Sequence, residues 1–230
     1  MPGIREPWRL AAESTEEFMR ATPRVYVVDD DAAIRTALQR LLNSEDIACK
    51  AFESAEAFLA HPLEEAPSCL LLDVNLAHGT GFDLQAQLLK RGQHFPIIFM
   101  TGYGTIAMSV KAIKAGAHEF LTKPFEPEQL LDLVREALAS DALNLTERQL
   151  TCNVVARFTS LTPREKQVMA LLITGKMNKQ IAVELGTSEV TAKVHKKHVM
   201  TKMHAGNVIE LLKMHQRLGA LVPYCITPAC

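Results

Sequence analysis

The chain has 230 residues, a formal net charge of −1, 48% hydrophobic residues and 22% charged ones. That is enough for one large domain or two small ones, each with its own core, and the composition lacks the bias of disordered chains. No apolar run approaches a bilayer-spanning length, and the opening segment MPGIREPWRLAAESTEEFMRATPR lacks the apolar core of a signal peptide, so a cytoplasmic protein with no membrane partner is expected.

In chain order, RVYVV (24–28) reads as a strand and AAIRTALQRLLNS (32–44) as a helix with apolar spacing at Ile34, Leu38, Leu41 and Leu42. IACKAF is a short strand, SAEAFLAH a short helix opened by a serine cap, and CLLL (69–72) a strand apolar on both faces. GFDLQAQLLKR is helical, PIIFM a strand, TIAMSVKAIKAGA a helix closed by Gly116, and EFL (119–121) a last strand. EPEQLLDLVREALAS follows as an amphipathic helix. Strands alternating with helices predict an α/β fold, a doubly wound parallel five-stranded sheet, with all strand C-terminal ends on one edge where such sheets bind ligands.

The residues at those ends carry the chemistry. The first strand runs into Asp29, Asp30 and Asp31, the third into Asp73, the fourth into Thr101 and the fifth into Lys123. Carboxylates this close repel one another and suit a hard cation, Mg2+ among them. A hydroxyl and an ammonium beside them suit phosphoryl oxygens, and Asp73 is then a candidate nucleophile for metal-assisted phosphoryl transfer.

The segments VVDDD, LLLD, FMTG and FLTKPF, in this order and spacing, resemble the receiver domain of two-component response regulators over roughly residues 24–140. The resemblance implies that Asp73 is the phosphoacceptor and that Asp29, Asp30, Asp73 and the Asn75 backbone carbonyl hold Mg2+. It further implies that Thr101 and Lys123 bind the phosphoryl oxygens, and that Phe120 is an aromatic switch working with Thr101. Leu76, Ala77 and His78 depart from the pattern common after the phosphorylated aspartate, which bears on phosphoryl lifetime and leaves the metal and phosphate positions intact. An aspartate-nucleophile phosphatase is a remote alternative. It needs a second acid two residues after the nucleophile, where Asn75 stands instead.

From Glu128 to Phe158 there is no proline or glycine, and Leu131, Val134, Leu138, Leu145, Leu150, Val154 and Phe158 recur at mostly helical intervals. A helical connector over 141–159 is expected, either continuous with the preceding helix or broken at SDALN. Its apolar stripe could pair with a second protomer or pack on the chain's own domain.

The charge then changes sign. Residues 24–125 hold 9 Lys/Arg against 12 Asp/Glu, whereas residues 160–217 hold 10 against 4, with four histidines. A basic second half faces a polyanion, unless it is only an unevenly charged solvated surface. Thr162, Pro163 and Glu165 open a helix with a capping box, ended by Gly175. NKQIAVEL forms a second helix ended by Gly186, TS caps a third from about Glu189 to Met203, and NVIELLKMHQRL forms a fourth. A short helix, a glycine-containing turn and a basic helix predict a helix-turn-helix. In the third helix Val190, Val194, Val199 and Met203 are expected to face the core, leaving Thr191, Lys193, His195, Lys196, Lys197 and Lys202 for other faces.

LTPRE, NKQIAVELGTS and TAKVHKKHVMTKM resemble the LuxR-type DNA-binding domain across about 60 residues. That resemblance implies base contacts from Lys193, Val194 and Lys197, and backbone contacts from Asn178, Lys179, Thr191 and His195. The AGN segment at 205–207 lacks the arginine often found there. The two domains in this order look like a FixJ/NarL-type response regulator. The expected layout is an extension (1–23), a receiver (24–140), the connector (141–159), a helix-turn-helix domain (160–222) and a tail (223–230). The implied partners are a histidine kinase, double-stranded DNA, RNA polymerase and a second copy of the chain on activation. The alternative is a DNA-binding regulator whose receiver-like half dimerises without phosphorylation. Five cysteines, odd in number and without a CxxC pair, are expected as reduced thiols.

Overall fold

The computed structural model describes residues 22–102, 110, 112–114 and 116–220. Most of TIAMSVKAIKAGA, nearly all of the N-terminal extension and the tail with Cys225 and Cys230 lie outside the described residues. The chain divides into two compact units, Met1–Thr146 and Glu147–Cys230.

In the first unit the strands are β1 (Arg24–Val28), β2 (Ala48–Phe52), β3 (Ser68–Asp73), β4 (Ile97–Thr101) and β5 (Glu119–Thr122). They form one parallel sheet in the order β2-β1-β3-β4-β5. This is the doubly wound order in which the chain reverses direction beside β1 and β3, opening a crevice at their C-terminal ends. Between the strands lie α1 (Ala32–Ser44), α2 (Ala55–Leu59) and α3 (Gly81–Lys90), and α4 (Pro127–Thr159) follows β5. All six residues of β3 are buried because helices cover both faces of the sheet. One face packs Tyr26, Val28, Leu70, Leu72 and Phe99 against Phe58, Leu84 and Leu88. The other packs Val25, Val27, Leu71, Ile98 and Met100 against Leu38, Leu42, Leu130 and Val134. Each such aliphatic side chain removed from water contributes about 1.5–3 kcal/mol before chain entropy is counted.

Local sequence fixes where the helices begin. Asp31 is the N-cap of α1, its side chain accepting from the Ala33 and Ile34 amides. Thr80 and Asp83 form a capping box at α3. Gly81 is required there, since a Cβ at that position would stand 2.4 Å from the Asp73 carbonyl oxygen. The start of α3 therefore packs directly on the end of β3.

The connector is helical without interruption through SDALN, and α4 is continuous from Pro127 to Thr159. Within that segment Asp141 is buried, and its Oδ2 accepts the Ser68 amide at 2.8 Å, so this part of the helix is docked on the start of β3. Leu131, Val134 and Leu138 are buried in the core of the first unit, while Val154 and Phe158 belong to that of the second. Leu150 is exposed.

The second unit adds α5 (Pro163–Ile173), α6 (Asn178–Glu184), α7 (Glu189–Met203) and α8 (Val208–Ala220). Its core gathers Val168, Met169 and Leu172 of α5, Ile181 and Ala182 of α6, Ala192, Val199 and Met203 of α7, and Leu211 of α8. The Thr162 capping box opens α5, and Ser188 caps α7 by accepting the Thr191 amide. Gly186 takes a φ of +61° in the turn before α7, a conformation that favours glycine.

One expectation fails here. Val190 and Val194 do not face the core; they are 73% and 46% exposed. At 100° per residue the core stripe is set by Ala192, Val199 and Met203, and both valines lie across the helix from Ala192. The small alanine gave no apolar signal, and the two valines gave a false one.

Among the described residues no helix is long and apolar enough to cross a membrane.

Candidate functional site

At the C-terminal edge of the sheet, Asp29, Asp30 and Asp73 each offer a carboxylate oxygen, and the three oxygens lie within 4.8 Å of one another. Parallel register produces this convergence: β1 and β3 are neighbours, so Asp29 and Asp73 each follow the paired Val28 and Leu72 at the same end of the sheet. Asp29 and Asp73 are buried and Asp30 is exposed.

Lys123 ties the two buried acids together. Its Nζ lies 2.7 Å from Asp29 Oδ2 and 3.0 Å from Asp73 Oδ1. The backbone positions it, since the Lys123 amide donates to the Thr101 carbonyl at 2.7 Å. The remaining carboxylate oxygens are held by backbone donors. Asp29 Oδ1 accepts the Asp31 amide at 2.9 Å, and Asp73 Oδ2 accepts the Asn75 amide at 3.1 Å. Arg35 donates to the Asp29 carbonyl at 2.8 Å.

Burial pushes the Asp73 carboxyl above its ordinary pKa, and the hydrogen bond and charge of Lys123 oppose that only in part. Burial works against the Lys123 ammonium as well, but its hydrogen bonds to Asp29 and Asp73 outweigh that and raise its pKa. Among the described residues Lys123 is the one ammonium bonded to this cluster, and it reaches only Asp29 and Asp73, so an ionised site carries excess negative charge. Its donors are all oxygens, and the exposed Asp30 leaves one side open to solvent. That donor set fits a hard divalent cation such as Mg2+.

Thr101 ends β4 fully buried, and Phe120 on β5 pairs in register with Phe99 while packing, half-buried, against the core. Asn75 is exposed, just beyond Asp73, and makes an isolated bridge to Thr80. Asp31, third in the acidic run, is committed to capping α1.

In the second unit, Asn178, Lys193, Val194 and Lys197 line one surface groove of about 490 Å³ together with Val190, Lys196 and Met200. Lys179, Thr191 and His195 are not among its lining residues. Thr191 supports the helix start, its Oγ1 lying 2.8 Å from Ser188 Oγ. Asn178 Oδ1 and His195 Nδ1 are buried without a hydrogen-bond partner among the described residues. Lys193, Lys197 and Lys179 are exposed.

Behind this face Glu165 is 3% exposed and binds α5 to α7. Its Oε2 accepts Lys202 Nζ at 2.7 Å, the Thr162 amide at 2.8 Å and the Thr162 hydroxyl at 3.0 Å. Burial alone would raise its pKa, yet the bonds from Lys202 and Thr162 hold it down to about 2.

An acid cluster with a lysine on a parallel sheet edge, followed by a helix-turn-helix, is the arrangement of a two-domain regulator, a receiver-type α/β unit joined to a DNA-binding unit. Residues 25–135 match the family model of the response regulator receiver domain, and residues 159–215 that of the bacterial regulatory proteins of the luxR family. Nodulation protein W of Bradyrhizobium diazoefficiens is 41% identical over 94% of this chain and 94% of that one. Response regulator protein TmoT of Ectopseudomonas mendocina is 42% identical over 84% of this chain and 88% of its own. The solved structure of the response regulator StyR, 42% identical, covers 86% of this chain and 100% of that one with a TM-score of 0.79. The chain belongs to the two-component response regulators that join a receiver domain to a LuxR-type DNA-binding domain.

Sequence reasoning missed Val190, Lys196 and Met200 on the groove and Asp141 beneath the sheet. A helical projection centred on Ala192 would have found Val190, which lies across the helix from it, but not Lys196 and Met200, which project toward the Ala192 side. Nothing in the local sequence marks Asp141, whose partner is 73 residues away.

Proposed function

We propose that Asp73 accepts a phosphoryl group from the phosphohistidine of a partner histidine kinase and so controls DNA binding by the second unit. The observation that carries this reading is the Asp73 carboxylate at the end of a buried strand, 3.0 Å from Lys123 Nζ and within 4.8 Å of two further acids. An Asp73 oxygen attacks phosphorus, a P–O bond forms as the P–N bond breaks, and the electron pair leaves with the imidazole. Lys123 releases part of its hold on Asp73 to neutralise a phosphoryl oxygen, and the Thr101 hydroxyl donates to another. Mg2+, held by Asp29, Asp30, Asp73 and the Asn75 carbonyl, would offset the charge that accumulates on the phosphoryl oxygens. The receiver catalyses its own phosphorylation and dephosphorylation and turns over no other substrate.

Thr101 and Phe120 carry the signal outward. Movement of Thr101 toward the phosphoryl group opens space for the Phe120 ring, which favours an active conformation and a homodimer. The receiver comprises 24–140, the connector 141–159 and the DNA-binding domain 160–222. In that domain Lys193, Val194 and Lys197 read base edges, and Asn178, Lys179, Thr191 and His195 hold the backbone. The protein acts in the cytoplasm, with RNA polymerase as a further partner.

Intact-mass spectrometry with acetyl phosphate and Mg2+ tests the reading. One added phosphoryl group is expected, absent in Asp73→Asn and reduced in Asp30→Asn. Equal labelling of Asp73→Asn would end it.

A further inference from the structure

Val190 is the second residue of α7, a large apolar side chain left 73% exposed in the middle of a basic surface. Water does not reward that placement. The first turn that carries it is well defined: Ser188 Oγ accepts the Thr191 amide at 3.1 Å and lies 2.8 Å from Thr191 Oγ1. Val190 and Val194 are four residues apart on one helix face, and both line the groove shared with Asn178, Lys193 and Lys197. The apolar strip thus lies between cations suited to phosphates and to guanine edges.

The major groove of DNA offers one apolar group, the C5-methyl of thymine. A helix-turn-helix presents the N-terminal residues of its second helix to base edges. We propose that Val190 is a specificity-determining residue that packs on the C5-methyl of a thymine in each half-site, at a position distinct from the base read by Lys197. This rests on the DNA-binding reading and adds to it the base and the atom that are read.

The test uses the full-length phosphorylated protein. Sites are selected from random DNA, and each enriched thymine is replaced in turn by deoxyuridine, which lacks only the methyl group. At one position the wild type should lose about fourfold in affinity, the equivalent of ~0.8 kcal/mol for one buried methyl-sized group. Val190→Ala, at an exposed helical position where alanine is well tolerated, should bind the thymine and uracil sites equally. The uracil penalty should persist in Val194→Ala. Equal wild-type affinity for all uracil-substituted sites overturns the proposal and leaves DNA binding intact. So does a penalty that survives in Val190→Ala and disappears in Val194→Ala. If selection enriches no sequence at all, the DNA-binding reading itself has failed.

Discussion

The two charged regions of this chain are built on opposite terms. At the sheet edge the charges are mostly buried and bound to one another, Lys123 lying between Asp29 and Asp73. On α7 the cations Lys193 and Lys197 stand in solvent, while Lys202, half-buried, pairs with the buried Glu165. Buried charges in contact share their energies, so removing one changes what the others are worth. Exposed charges facing a polyanion act almost independently and are screened by salt. Under the proposed function, the sheet edge uses the first arrangement to organise charge at one atom during phosphoryl transfer. A nucleic-acid face needs the second because it must leave its charge available.

The strongest way to break this comparison is to remove Lys123. Lys123→Met leaves two buried carboxylates without their cation, and metal-free stability of the first unit should fall by about 3–5 kcal/mol. Adding Asp29→Asn should restore much of that loss, because the uncompensated charge is removed with it. Denaturant titrations in EDTA measure both. If the two substitutions prove additive, the sheet edge is no more coupled than the surface.

Glu165 provides the next test, since it brings a buried charge into the otherwise exposed region. Its folded pKa of about 2 lies below the ordinary value of 4.5. A depressed carboxylate pKa contributes stability that is present above the unfolded value and lost as pH falls through the folded one. The second unit should therefore lose up to about 3 kcal/mol between roughly pH 5 and pH 2. Glu165→Gln should be less stable at neutral pH and show a flatter acid limb. Acid titrations of the two proteins that run parallel would remove Glu165 as the cause.

These differences also explain what could be read from the chain alone. The sheet edge was legible because parallel strands must deliver their C-terminal residues to one side, so Asp29, Asp73, Thr101 and Lys123 could be gathered without coordinates. Asp31 was not separable from its neighbours, since capping α1 and binding a cation both call for a carboxylate. Val190 and Val194 were misplaced because apolar spacing does not distinguish a core stripe from an exposed one when the core residue is as small as Ala192. Asp141 could not be read at all, because its partner Ser68 is remote in sequence and its role is tertiary.

On α7 itself, Lys197→Ala should cost about 1–3 kcal/mol on the selected site and relax preference at one base pair. Lys193 lies one turn away on the same face, and its substitution should relax a neighbouring position. Competition binding against single-base variants measures this. A Lys197→Ala protein with unchanged affinity and preference would show that this helix is not the reader.

The smallest effect is expected at Lys179, and it sharpens the contrast most. Lys179 is exposed near the start of α6 and does not line the groove; under the proposed function it contacts a phosphate and no base edge. A phosphate contact releases condensed counterions whatever the sequence beneath it. Lys179→Ala should therefore weaken cognate and random DNA by the same factor and leave the selected sequence unchanged. The slope of log affinity against log salt should flatten by about one unit. Between 50 and 200 mM salt, the ratio of wild-type to variant affinity should then shrink by about three- to fourfold. A Lys197→Ala protein measured alongside should keep the wild-type slope while losing its base preference. If Lys179→Ala instead alters which sequence is preferred, this lysine reads bases, and the division between gripping and reading residues on this face has to be redrawn.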